Sequence, residues 1–79
     1  MLVITKHKDN TYSISDGITL TNDLTLTLLL AKCLWEFNFE RSVVSSALKF
    51  MDKTGNDMIV FDPDGHYTLS KIDYSKALT

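Results

Sequence analysis

Asn22–Phe37, NDLTLTLLLAKCLWEF, is the stretch whose reading decides the fold. It carries the densest run of large apolar side chains in the chain and the only tryptophan, Trp35. Wound as a helix, it puts Leu24, Leu28, Ala31 and Trp35 on one face. Leu26, Leu30, Cys33 or Leu34, and Phe37 line the next. Thr25, Lys32 and Glu36 leave only a thin polar stripe, interrupted by Leu29. A surface helix normally shows one apolar stripe and a broad polar face. A helix this apolar needs cover on more than one side, from the rest of the chain or from a second subunit. The run Leu28–Ala31 is too short and too close to charges to span a membrane.

A strand pattern competes at the start of this stretch. Ile18-Thr-Leu-Thr and Leu24-Thr-Leu-Thr alternate with period two. Asn22-Asp23 between them could form a two-residue hairpin turn. The alternation disappears after Leu28, Asn22 or Thr21 can serve as N-cap, and Asp23 suits the positive end of a helix dipole. The expectation is therefore a helix from about Asp23.

Seventy-nine residues make one domain with a modest core. With 44% hydrophobic and 23% charged residues, three Gly and one Pro, the composition is that of a folded chain. A formal charge of −2 argues against a dedicated nucleic-acid binder, whose face is strongly basic. The single cysteine cannot close an internal disulfide, which points to a reducing compartment. The start, MLVITKHKDN, lacks the apolar segment of a signal peptide. A soluble, cytoplasmic chain without a membrane segment is the expectation.

From the N-terminus, Leu2–Lys6 reads as a strand and Lys8-Asp9-Asn10 as a turn. Thr11–Ser15 alternates again, and Asp16-Gly17 ends it. Ile18–Leu20 adds a short extended piece. Asn38 caps a second helix, Phe39 to about Lys53, with Gly55 as its stop. Phe39, Val43, Ala47 and Phe50 form one apolar stripe, with Val44, Leu48 and Met51 beside it. One continuous helix over 23–53 would be about 45 Å long at 1.5 Å per residue, too long for this domain. A helical hairpin is preferred.

Met58–Phe61 is the clearest strand, and Asp62-Pro63-Asp64-Gly65 a strong turn before His66–Ile72. A three-residue loop with a bulged Gly pairs Phe61 with Tyr67 and Ile59 with Leu69, apolar on apolar. A two-residue loop would slip the register and turn every side chain to the wrong face. Val3-Ile4 and Tyr12-Ser-Ile-Ser are echoed 55 residues later by Met58-Ile59 and Tyr67-Thr-Leu-Ser. The same loop in the first hairpin pairs Ile4 with Ile14. Shared hairpin chemistry explains the echo more simply than duplication. The expected fold is α+β: a ββααββ chain whose two β-hairpins form one antiparallel sheet against a central helical hairpin. The polar tail 73–79 is expected to fray.

No catalytic, cofactor or metal signature emerges. Cys33, the one candidate nucleophile, sits among leucines away from His7 and His66 and reads as a core thiol. His7 and His66 flank turns and could approach if the hairpins lie side by side, but zinc wants three or four ligands at fixed spacing. Asp62-x-Asp64-Gly65 echoes the start of a calcium loop but lacks the later acidic ligands. Asp57, Asp62, Asp64 and Asp73 fall at turns or ends, where Asp bonds locally. Arg41, Lys49 and Lys53 on the second helix, and Lys6-His7-Lys8, are the candidate nucleic-acid contacts; both groups are sparse.

Leu29, Trp35, Tyr12 and Tyr67 are the candidate interaction residues, because aromatic anchors carry much of interface energy. The expected function is a non-enzymatic protein-interaction module binding itself as a homodimer or another protein. By analogy of size and character, it would be an accessory or inhibitor protein of a phage or mobile element. The alternative is a nucleic-acid-associated regulator using the basic face of the second helix.

Overall fold

The computed structural model describes residues 1–71; the expected tail 73–79 lies outside them. Strands β1 (Leu2–Lys6), β2 (Tyr12–Ser15) and β3 (Leu20–Leu24) precede helices α1 (Leu26–Phe37) and α2 (Arg41–Thr54). Strands β4 (Met58–Phe61) and β5 (Tyr67–Ser70) follow. The strands form one antiparallel sheet in the order β3-β2-β1-β4-β5. The class is α+β as expected, with a third N-terminal strand added to the anticipated ββααββ order.

Both hairpins take the expected register. Ile4 faces Ile14, Ile59 faces Leu69, and Phe61 faces Tyr67. The second loop is the three-residue one: Asp62 N–H donates to the His66 carbonyl at 2.8 Å, and Gly65 adopts φ +88°. The first closes in the same way, His7 N–H to the Thr11 carbonyl at 2.8 Å, with Asn10 at φ +67°. Glycine and asparagine are the residues that tolerate this left-handed backbone.

The expected helix start at Asp23 is overturned. Leu20–Leu24 is the sheet's edge strand, paired with β2. Tyr12 faces Leu24 and Ile14 faces Thr21, so Asn22 and Asp23 together stand opposite the single residue Ser13. This is a β-bulge, and Asp23 takes the positive φ of +60°. The bulge absorbs the two polar residues that look like a helix cap or a turn. The true N-cap is Thr25, whose Oγ1 accepts the Leu28 N–H at 3.3 Å.

Asn38 caps the end of α1 rather than the start of α2. It sits at φ 59°, ψ 33°, and its N–H bonds the Cys33 carbonyl. Phe39 N–H bonds the same carbonyl at 2.9 Å. Helix α2 starts after Glu40, without a side-chain cap, and stops where expected. Gly55 is left-handed, and Asn56 N–H reaches the Met51 carbonyl at 3.0 Å, closing a Schellman motif.

The core lies between one sheet face and the two helices. Leu2, Ile4, Tyr12, Ile14, Ile59 and Phe61 meet Leu29, Leu30 and Cys33 of α1, and Val44, Ala47, Leu48 and Met51 of α2. Phe39, in the loop between the helices, stacks on Phe61 at 4.9 Å between centroids, and Phe61 on Tyr67 at 5.5 Å. That trio fastens the helical hairpin to β4 and β5.

Candidate interaction surface

Among the described residues, helix α1 is covered on one side only. Leu29, Leu30 and Cys33 point into the core, with Phe37 partly buried beside them. Opposite them, Trp35 is 82% exposed, Leu28 54% and Leu34 43%. Leu26 is also exposed at the helix start. Thr27, Leu30, Ala31, Leu34, Trp35 and Arg41 line an open groove of about 200 Å³ along this face. Lys32 Nζ and Glu36 Oε2, 2.7 Å apart, form one border of the patch.

Leu29 is a correction to the expected surface. It is fully buried, because the sheet meets α1 along the line through Leu29, Cys33 and Phe37. Tyr12 is likewise buried, opposite Lys6 on β1 and Leu24 on β3. Desolvation raises its phenol pKa. Tyr67 is 38% exposed on the edge strand β5, whereas α1 packs over β2 and β3 at the other side of the sheet. Of the four expected residues, Trp35 alone lies on the apolar face of α1.

Arg41, Lys49 and Lys53 are all exposed on α2. The chain reversal at Asn38 brings Arg41 to the same groove as Trp35. No local pattern in the sequence joins those two, since Asn38 reads equally as an N-cap of α2, and only the left-handed turn it makes brings Arg41 back to α1. Of the Lys6-His7-Lys8 cluster, Lys6 is paired with Asp52 at 2.8 Å, and that hydrogen bond raises the lysine pKa.

Cys33 is sealed from solvent, and desolvation pushes its thiol up to about 11. His7 and His66 do not approach. Strand β1 runs antiparallel to β4, so the loop after Lys6 and the loop after Phe61 lie at opposite ends of the sheet. Asp62, Asp64 and His66 gather their ligand atoms within 4.8 Å of one another. Asp62 Oδ1 is already used by the backbone, accepting from Asp64 N–H at 2.9 Å and His66 N–H at 3.0 Å. That is the local bonding expected of a turn aspartate. Asp73, grouped with these acids from sequence, lies outside the described residues.

No described helix is long and apolar enough to cross a membrane. The chain matches no protein-family model, no curated protein and no solved structure.

Proposed function

We propose that the protein is a non-enzymatic protein-interaction module, self-associating or holding another protein, whose docking surface is the outward face of α1. One observation carries this reading: Trp35 stands exposed between Leu28 and Leu34 on a helix that no other described element covers on its outer side. Tryptophan is among the residues enriched at the energetic centres of protein interfaces. An exposed apolar patch rimmed by polar side chains is a common mark of an interaction site. The closed environment of Cys33 supports a role without nucleophilic chemistry. The small size and this adhesive face also suit an accessory or inhibitor protein of a mobile element.

The test compares the wild type with Trp35→Lys, using light scattering behind size exclusion and cross-linking in cell extract. Loss of every association in the variant, with an unchanged circular dichroism spectrum, supports the reading. Associations that survive the substitution refute it.

A second reading has its own observation. Trp35 and Arg41 share a groove, and a base could stack on the indole while the guanidinium meets a phosphate. Binding of single-stranded nucleic acid at low salt, with a salt slope flattened by Arg41→Gln and Lys49→Gln, would establish it.

A further inference from the structure

We infer that the occupant of the α1 face is a second copy of this chain, docked α1 against α1 and antiparallel, about a two-fold axis beside Leu34 and Trp35. The inference rests on the reading of α1 as the docking surface. It adds the partner and the register.

Charge order selects an antiparallel copy. Lys32 and Glu36 border the apolar patch one helical turn apart. An antiparallel copy centred midway between them, level with Leu34, sets its Glu36 beside Lys32 and its Lys32 beside Glu36. Each charge then gains a second opposite neighbour. A parallel two-fold copy would place the two Lys32–Glu36 flanks on opposite sides of the interface, so neither charge would gain an opposite neighbour from that pair.

Area and shape agree with this arrangement. The exposed parts of Leu28, Leu34 and Trp35 present roughly 400 Å² of apolar side chain, about half of the ~800 Å² each partner of a stable complex buries. Thr27, Lys32, Glu36 and Arg41 supply the polar rim that makes up the rest. The same axis lays the Trp35 of one copy against that of the other, over the groove floored by Leu30 and the small Ala31. Both copies use the same patch, as a closed two-fold interface requires.

The test uses the full chain and its sole tryptophan. Light scattering is expected to give about 18 kDa, twice 9.0 kDa. Trp35 fluorescence should shift to the blue as concentration rises, following the mass. Trp35→Lys should raise the dimer Kd at least ~30-fold. Leu34→Cys, on the axis, should cross-link to its own copy under mild oxidation, and Thr27→Cys should not. The reverse cross-linking pattern overturns the antiparallel register. A dimer in which Trp35 stays solvent-exposed, or which survives Trp35→Lys, overturns both the inference and the reading beneath it. A monomer at every concentration overturns the second copy alone. The docking reading then stands or falls on whether Trp35→Lys abolishes associations in extract.

Discussion

Ile4 lies directly opposite Ile59 in the central strand pair, 55 positions away in the chain, and both are fully buried. The pair marks a local two-fold axis through the sheet. Ile4 faces Ile14 across β2, and Ile59 faces Leu69, each 55 positions on. The loop bonds repeat with the same offset, His7 to Thr11 and Asp62 to His66. The faint repeat in the sequence is thus a repeat of structure, with β3 outside it. Two hairpins of identical register let their inner strands pair with Leu2, Ile4, Ile59 and Phe61 all on the helix side.

Truncation at this centre should be costly. Ile4→Ala and Ile59→Ala should each lose about 2–5 kcal/mol, as buried aliphatic truncations do. The double variant should depart from additivity because the two residues are in contact. Urea unfolding of the three variants checks both statements.

Leu29 and Trp35 should behave as opposites, although both were candidate surface residues. Leu29→Glu buries an unpaired carboxylate and should leave the chain unfolded or destabilised by more than about 3 kcal/mol. Trp35→Lys should change monomer stability by no more than about 0.5 kcal/mol. Thermal melts at a concentration low enough to keep the chain monomeric separate the two.

The joint at Asn38 should tolerate glycine and reject a branched residue. Its left-handed backbone suits Asn38→Gly, which should be neutral to slightly stabilising. Asn38→Val should cost about 1–2 kcal/mol, because a β-branched side chain strains that conformation. The same melts measure it.

Stability should fall at both ends of the pH scale. The unfolded chain releases the Cys33 proton near pH 8.5, whereas the folded chain keeps it to about 11. Between those values the unfolded state binds fewer protons, so stability declines as pH rises. Lys6, raised by its hydrogen bond to Asp52, acts in the same direction: its contribution is full below the unfolded lysine pKa and is lost as pH passes the folded one. Asp9 is held low first by the Thr11 hydroxyl, and Asp16 first by the Thr19 N–H. Their contributions are present above the ordinary carboxylate range and lost as pH falls through their lowered values. Unfolding midpoints from pH 3 to 10 should show a plateau with both flanks descending. In Cys33→Ala the alkaline flank should be shallower.

Thiol access gives an independent check on the burial of Cys33. A disulfide-exchange reagent at pH 8 should label the native chain far more slowly than the denatured one, since both thiolate formation and approach are blocked. Fast labelling of the native chain would contradict the packing of α1 described above.

What the sequence determined by itself was whatever neighbours within a few residues decide. Asp62-Pro63-Asp64-Gly65 and Lys8-Asp9-Asn10 specify their turns through residues that accept left-handed backbone, and those turns set the registers of both hairpins. Helix α2 was legible because Val44, Leu48 and Met51 oppose a broad polar face, and Gly55 ends it. Helix α1 could not be oriented in this way. It is apolar nearly all round, so its own pattern gives little reason to prefer Leu29 over Trp35 as the inward residue. The sheet made that choice. The edge strand pairs with β2 as far as Leu24, the bulge at Asn22 and Asp23 takes up the extra residue opposite Ser13, and the helix can begin only after Thr25. From that start, Leu29, Leu30 and Cys33 reach the core and Trp35 is left outside. Cross-strand pairing decided the rotation of α1 because local preference left it nearly undetermined, and the exposed face that resulted is the protein's candidate site.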